Sequence, residues 1–270
     1  MKAVVQRRFG GPEVLSVEDV PDPAPASGMV RVRVAAAGVH LVDTTIRRGD
    51  AGGPFPVPEL PMTPGREGAG TVDGVGDGVD ASWLGATVVA HLGPASGGYA
   101  ERAVAPVDAL IRLRADTDPA AAVAMVGTGR TALGVLAEAA VTDQDVAVIT
   151  GAAGGLGTLL VQAARRAGAT VVGLAGGADK VARVRALGAD LAVDYRSAGW
   201  AAELADHLGD EPPTLLLDGV GGAAARSAFE LLRPGGRAVL FGYSSGAPVP
   251  LSAEDLFARG VAASAAIGPR

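Results

Sequence analysis

Short apolar runs in the second half of the chain alternate with segments of helical spacing, most clearly in residues 143–177. The run at 146–149 has the length and β-branched content of a buried parallel strand. Leu159, Leu160, Ala163 and Ala164 then recur at helical spacing, and a second apolar run follows at 170–174. The pattern predicts a strand, a helix over 156–167 and another strand, the βαβ unit of a dinucleotide-binding fold.

The same alternation continues to the end of the chain. It predicts a helix at 179–187 and further strands at 189–195, 215–222, 237–242 and 261–268. Just before this part, residues 120–140 predict helical segments interrupted around 127–129, and the composition changes near Pro119. We therefore expect a doubly wound parallel sheet, a Rossmann domain, at 119–270.

Residues 1–118 show strand and turn patterns instead. Strands are predicted at 2–6 and at 30–36, where valine alternates with arginine as in a half-exposed strand, and again within 64–79, 86–93 and 99–106. A short helix is expected after a turn at Gly38, and a loop rich in glycine and proline at 49–64. The first half is therefore predicted to be a β-rich domain, which makes the whole chain an α/β protein.

The segment GAAGGLG, residues 151–157, lies between the strand and the helix of the predicted βαβ unit. Pyrophosphate needs a close approach to the backbone and the free N–H groups of a helix N-terminus, and small residues allow both. Against the pattern G-x-G-x-x-G, alanine replaces the first glycine. We predict that the cofactor contacts Ala153, Gly154, Gly155, Leu156 and Gly157; a purely structural turn is the alternative.

Composition narrows the possible functions. The chain has 270 residues, a net charge of −6 and no block of basic residues, which argues against a nucleic-acid surface. It has no cysteine, and this excludes disulfides, thiolate nucleophiles and cysteine-ligated metal sites. No secretory signal or uninterrupted apolar stretch of membrane-spanning length is present, so the expectation is a soluble cytoplasmic protein that binds no membrane.

Several motifs, in this order, resemble the zinc-free quinone oxidoreductases of the medium-chain dehydrogenase/reductase superfamily, the zeta-crystallin-like group. The resemblance covers essentially the whole chain. Its markers are AAGVHLVDTTIRRG, PGREGAGTVDGVGDGV, GGYAERAV, TGRTALGVL, GAAGGLG, LLDGVGG and LLRPGGRAVLFGYSSG. It implies a GroES-like β-rich catalytic domain at 1–118, a Rossmann domain at 119–270, an active site in the cleft between them and a homodimer.

The resemblance also implies departures from its relatives. Arg66 stands where the zinc-dependent branch has a histidine, so no metal site is expected. His40 stands where relatives commonly have asparagine. Relatives also run about fifty residues further and return to complete the catalytic domain, so we expect a missing return segment and leave open whether the 270-residue form is active.

The residues after the glycine turn predict which dinucleotide binds. An NAD site normally has an acid about twenty residues on, at the end of the second strand, whereas this chain has Ala175, Gly176 and Gly177 there. Lys180 follows, and an absent carboxylate beside a cation suits the 2′-phosphate of NADPH. In the family, the residues matching Lys180 and Tyr195 contact this end of the cofactor, and Arg183 or Arg196 could share the role. A solvated helix lysine is the alternative.

The turns after the fourth and fifth strands are also expected at the cofactor. Ligands of open α/β sheets bind beyond the carboxyl ends of the strands. We therefore predict that the nicotinamide and ribose are lined by residues from both turns, namely Gly219, Val220, Phe241, Gly242 and Tyr243. Turn glycines with only a core role are the alternative.

Four residues are candidates for the substrate side: His40, Asp43, Arg66 and Thr128. His40 could donate a proton or hydrogen bond to a carbonyl oxygen that gains charge as hydride arrives. Thr128 resembles the family threonine near the nicotinamide. The structural alternatives are a packed or solvent-facing His40, an Asp43 that caps the short helix, and an Arg66 that pairs with Glu67 or Asp43.

The resemblance favours an NADPH-dependent reductase of quinones or α,β-unsaturated carbonyls, acting on a small molecule without zinc. Two alternatives stay open. One is an enoyl-thioester reductase, which shares the fold, and the other is a non-catalytic NADPH-binding protein.

Overall fold

The computed structural model describes residues 1–50, 57–93 and 96–267. They form two compact units, Met1–Gly127 and Thr128–Arg270. The division falls nine residues after the expected boundary at 118/119, because one long helix contributes residues to both units. Part of the predicted loop at 49–64 and the last residue of the predicted strand at 261–268 lie outside the described residues.

The first unit is built on an antiparallel sheet. Its strands are ordered β6-β3-β4-β5-β7, beside a separate β1-β2 hairpin. In β3, Val30 and Val32 are buried while their arginine neighbours face outward, which confirms the predicted half-exposed strand. The elements are β1 (Lys2–Gln6), β2 (Leu15–Asp19), β3 (Met29–Ala36), α1 (Leu41–Arg48), β4 (Glu67–Val75), β5 (Thr87–His91), β6 (Arg102–Pro106) and β7 (Leu110–Arg112).

The second unit is a six-stranded parallel sheet with flanking helices, as the apolar runs predict. The strand order is β10-β9-β8-β11-β12-β13, so the chain reverses its direction of travel between the adjacent strands β8 and β11. This is the doubly wound arrangement, and the reversal opens a crevice at the carboxyl ends of those two strands. The strands are β8 (Val146–Ile149), β9 (Thr170–Ala175), β10 (Leu191–Asp194), β11 (Leu215–Asp218), β12 (Arg237–Leu240) and β13 (Ala262–Ala265).

The helices differ more from the sequence expectation than the strands do. The expected interruption at 127–129 is wrong, because α2 runs without a break over Pro119–Ala139. Its buried residues Val123, Val135 and Ala139 pack into apolar clusters, and this packing outweighs the cost of about 1 kcal/mol for each helical glycine. The other helices of this unit are α3 (Gly155–Arg166), α4 (Ala178–Ala186), α5 (Trp200–Leu208), α6 (Gly222–Glu230) and α7 (Ala253–Arg259), of which the last three were not predicted.

By length and hydropathy alone, α2 is also the one helix of the described residues that could cross a membrane. Apolar core helices pass the same test, and α2 contributes residues to two core clusters. Of its most apolar window, 22% is buried in the fold.

A partly buried ion pair joins the amino ends of two strands in the second unit. The guanidinium of Arg237 donates to both carboxylate oxygens of Asp145, at 2.9 and 2.8 Å, and to the carbonyl oxygen of Ala139 at the end of α2. Thr214 Oγ1 donates to the same carboxylate at 2.6 Å. Arg237, Thr214 and the backbone of Thr142 hold the pKa of Asp145 well below its usual range, against the opposing effect of desolvation.

Candidate active site

The glycine turn has the close backbone packing that a dinucleotide fingerprint requires. Gly151 has φ = +59°, a left-handed conformation, and the N–H of Gly154 donates to its carbonyl oxygen at 2.8 Å. A Cβ on Gly157 would lie 2.6 Å from Ala152 Cα, so only glycine lets α3 begin this close to the turn. No side chain caps α3, which leaves its first N–H groups and its positive dipole end to a ligand.

Ala152 in the first slot of the pattern has a structural reason. The left-handed residue is Gly151, one position earlier, so the first slot needs no glycine. Ala152 is fully buried, and a Cβ built on Gly173 of β9 would lie 3.2 Å from its methyl group. The two small residues let the turn pack on β9, and the departure from the pattern therefore leaves the backbone of the glycine turn undistorted.

The end of β9 lacks the acid of an NAD site and carries a cation above it. A Cβ on Gly176 would lie 2.7 Å from Arg196 Nε and 3.2 Å from the hydroxyl of Tyr195, so these two side chains cover the glycine. Lys180 is exposed on the first turn of α4, and no ion pair involves it among the described residues. Arg196, Tyr195 and Gly176 are thus brought together, with Lys180 on the neighbouring helix.

Asp194 ties the two turns of this cation site together. Its carboxylate accepts the N–H of Arg196 at 2.9 Å. This hydrogen bond, followed by one from the N–H of Gly177, holds the pKa of Asp194 below its ordinary value. The carboxylate therefore fixes the backbone from which the Arg196 side chain extends. Sequence analysis missed this residue, although an acid at the end of an apolar strand was a usable signal.

The buried carboxylate of Asp218 holds the turn that follows β11 through hydrogen bonds to its backbone. It is fully buried, receives the hydroxyl hydrogen of Thr150 at 2.6 Å, and accepts the N–H groups of Val220 and Gly221 at 3.0 and 3.1 Å. A Cβ on Gly151 would lie 3.2 Å from Val220 Cγ2, so this turn adjoins the glycine turn. Asp218 and Thr150 were also missed.

The turn that follows β12 packs against the turn that follows β11. A Cβ on Gly219 would lie 2.5 Å from the ring of Phe241, and one on Gly242 would lie 3.1 Å from the carbonyl oxygen of Gly219. Tyr243 is about half exposed. The predicted residues of the fourth and fifth strands therefore come together at the carboxyl edge of the sheet, beside the strand reversal.

Thr128 lies against the start of α3. A Cβ on Gly155 would lie 3.4 Å from its Cγ2 atom and 3.9 Å from its hydroxyl oxygen. The threonine of α2 is thus placed at the N-terminal end of the helix that the glycine turn opens.

In the first unit, His40 is paired with Glu67, a residue that the sequence suggested only as a partner for Arg66. His40 Nε2 and Glu67 Oε2 lie 2.8 Å apart, a distance that suits an ion pair, although the geometry is not that of a regular hydrogen bond. The Glu67 side chain is 2% exposed and that of His40 22%. Contact with Glu67 raises the pKa of His40, against the opposing effect of desolvation.

Asp43 holds the loop that carries His40. Its carboxylate accepts the backbone N–H of His40 at 2.8 Å and the hydroxyl hydrogen of Tyr99 at 2.9 Å, so it ties down the start of α1. Burial and the nearby Asp43 charge raise the pKa of Tyr99. The Tyr99 ring packs on Gly65, whose φ of +97° and missing side chain allow the contact. Tyr99 is a further residue that sequence analysis missed.

Arg66 precedes Glu67, and its positive charge opposes protonation of His40. Across the parts of the chain that the structure describes, no cluster of three His, Asp or Glu residues could hold a metal ion. Near His40 the titratable side chains are its own imidazole, the buried carboxylate of Glu67, the carboxylate of Asp43 and the phenol of Tyr99.

Family comparisons agree with this geometry. The model of the alcohol dehydrogenase GroES-like domain matches residues 26–151, and that of zinc-binding dehydrogenases matches residues 155–269. The 2-haloacrylate reductase of Burkholderia sp. is 32% identical over 264 residues, which are 96% of this chain and 78% of that protein. The quinone oxidoreductase of Sus scrofa is 32% identical over 263 residues, with the same shares of 96% and 78%.

A solved structure supports the same assignment. The Escherichia coli quinone oxidoreductase complexed with NADPH superposes with a TM-score of 0.88 at 28% identity, over 100% of this chain and 81% of that one. The fold class expected from the sequence and the resemblance to this enzyme group are both confirmed.

Proposed function

We propose, on the premise that this chain belongs to the quinone oxidoreductase family of medium-chain dehydrogenases/reductases, that it uses NADPH to reduce quinones or α,β-unsaturated carbonyls. That it is an oxidoreductase follows from its family. The cofactor form and the substrate class are the proposal.

The second unit holds the residues that fit a dinucleotide. We assign the pyrophosphate to the N-terminus of α3 at Gly154–Gly157, and the nicotinamide end to Val220, Phe241 and Thr128. When bound, the nicotinamide supplies a hydride. The chain's own residues bind it, orient it and exclude water from the acceptor.

The observation that carries the choice of NADPH is the cover of Arg196 and Tyr195 over Gly176. A carboxylate here would accept hydrogen bonds from the ribose hydroxyls of NAD and would repel a 2′-phosphate. A guanidinium instead binds a phosphate through paired N–H donors. Lys180 adds a second cation on α4. The E. coli relative solved with NADPH is in keeping with this choice.

The proposed substrates follow from His40 and from the names of the relatives. Contact with Glu67 raises the pKa of His40 and so favours its charged form, which can supply a proton to an oxygen that becomes negative on reduction. Quinones and conjugated carbonyls both develop such an oxygen. The names of two relatives, quinone oxidoreductase and 2-haloacrylate reductase, refer to a quinone and to a conjugated acid as acceptors.

Purified protein should be assayed for NADPH oxidation with benzoquinones, α,β-unsaturated ketones and crotonyl thioesters, each repeated with NADH. Faster turnover of a quinone or enone with NADPH is the expected result. A preference for the thioester would replace the proposal with an enoyl-thioester reductase. Tight NADPH binding without turnover of any acceptor would replace it with a non-catalytic NADPH-binding protein.

The homodimer also remains a proposal. Strand β13 is an edge strand of the parallel sheet in the described chain, and an edge strand can pair with the same strand of a second copy. Light scattering tests whether copies associate through this edge: the wild type should have the mass of a dimer, and Ala263→Pro, which removes an N–H that points away from β12, should shift it toward the monomer. A dimer that is unchanged in Ala263→Pro would exclude this edge as the interface.

A further inference from the structure

Glu67 is a buried carboxylate whose position demands a partner. Its side chain is 2% exposed, and its Oε2 atom has no regular hydrogen bond in the described part of the chain. Burying an ionised group without a partner is costly, and such residues persist where a charge is needed. The contact that offsets this cost is the one with His40, 2.8 Å away.

Two glycines leave the space that the pair occupies. A Cβ on Gly38 would lie 2.5 Å from Glu67 Oε2 and 3.2 Å from His40 Nε2. A Cβ on Gly127 would press on the other carboxylate oxygen, Oε1, and lie 3.3 Å from His40 Cε1. The pair is thus enclosed on two sides by positions without side chains, and larger residues there would displace it.

Three charged groups act on the His40 ring. Glu67 on β4 has the largest effect, Asp43 on α1 adds to it, and Arg66 opposes both. Asp43 is already engaged by the N–H of His40 and the hydroxyl of Tyr99, so its role is to hold the loop. The carboxylate of Glu67 faces the imidazole instead, with Oε2 2.8 Å from Nε2.

We infer that Glu67 is a positioning residue: it fixes the ring of His40 through the 2.8 Å contact with Nε2, so that the imidazole is held in place to deliver a proton to the reduced substrate. This inference rests on the proposed function. A bound NADPH would supply the hydride with its electron pair to the acceptor, and the protonated imidazole of His40 would give its proton to the carbonyl oxygen that becomes negative. The products are the reduced acceptor and NADP⁺, and His40 regains a proton from water.

A first experiment measures the pairing without any catalysis. The protein has three histidines, His40, His91 and His207, and NMR can follow the ring signals through a pH titration after assignment with His40→Asn. We expect the pKa of His40 to lie above the ordinary histidine value and to fall in Glu67→Gln. The exposed Glu59→Gln, the same chemical change on the same unit, should leave it unaltered.

A second experiment measures proton delivery in the holoenzyme. His40→Asn should lower kcat by about 100-fold, the lower end of general acid catalysis. Glu67→Gln should cause a smaller loss on the alkaline side of the kcat profile that recovers as the pH is lowered, because the alkaline limb moves with the pKa of His40. In the His40→Asn background, Glu67→Gln should have no further effect on that limb.

The outcomes are distinguishable. An unchanged His40 pKa in Glu67→Gln overturns the inference, as does a lowered pKa with an unmoved alkaline limb. Wild-type protein that reduces no acceptor overturns the proposed function and the proton delivery, while the NMR titration still decides whether the pair exists. If Glu67→Gln does not fold, the wild-type titration decides, and a His40 pKa at or below the ordinary value overturns the inference.

Discussion

Replacing Arg196 with alanine removes the guanidinium above Gly176 and little else. The Arg196 side chain is exposed, and its backbone N–H stays bound to Asp194 at 2.9 Å, so the turn should keep its shape. The substitution therefore tests the proposed 2′-phosphate site with small structural cost.

The expected effect can be estimated from the contact. A hydrogen bond to a charged group contributes about 1.5–3 kcal/mol, and an exposed guanidinium belongs at the lower end. About 1.5 kcal/mol corresponds to roughly tenfold weaker NADPH binding. NADH has no 2′-phosphate, so its dissociation constant should change by less than about twofold, and NADPH selectivity should fall by nearly the full factor.

Fluorescence titration with each cofactor measures these constants. Arg166→Ala is a matched control, because it removes an exposed arginine from the opposite end of α3 to the glycine turn. Equal losses of NADPH affinity in the two variants would mean that only net charge matters. Equal losses of NADPH and NADH affinity in Arg196→Ala would refute the assignment of this residue to the 2′-phosphate.

Three further predictions concern the pairs and turns that hold the sites. Arg237→Ala should lower the free energy of unfolding by about 2–3 kcal/mol, less than the loss of a fully buried pair because the guanidinium is one-third exposed. Arg237→Lys should recover part of this loss. Urea denaturation measures both variants, and a loss below about 0.5 kcal/mol in Arg237→Ala would contradict the prediction. Gly157→Ala should destabilise by about 1–3 kcal/mol by overpacking, whereas Gly155→Ala, with ordinary contacts, should be neutral or stabilising; equal effects would refute the close approach. Because the pKa of His40 is raised in the folded state, the stabilisation by its charge is fully present below the pKa of the unfolded chain, about 6.5, and is lost as the pH rises through the folded pKa. The Tm difference between the wild type and His40→Asn should therefore shrink toward alkaline pH. A Tm difference that grows toward alkaline pH would contradict this prediction.

Strand and turn positions of the second unit were readable because they depend on short-range patterns. The predicted strand at 146–149 is β8 as observed, and the helix at 156–167 differs by one residue at each end from α3. Buried parallel strands are almost uniformly apolar, so their runs stand out. α2 shows the limit of the same reasoning, because packing of Val123 and Val135 overrides the local preference of Gly127 and Gly129.

The resemblance to the family supplied the residue candidates, and the structure supplied their partners. Lys180 and Tyr195 follow from motifs. The cover of Gly176 by Arg196 depends on parallel pairing of β9 with β10, which sets Ala175 beside Asp194. No periodicity in the sequence reports this register.

What the sequence determined and what only the tertiary structure decided differ in kind across both units. The chain by itself determined that no cysteine chemistry is possible, that a βαβ unit with a glycine turn is present, and that no acid stands at positions 175–177, where the second strand ends. Only the tertiary structure decided that Glu67, at the start of β4, meets His40, and that Tyr99 reaches Asp43 from 56 residues away. Apolar patterns are read locally because each residue's burial depends on its place within one element, whereas a polar pair exists only once register and burial bring two distant segments together.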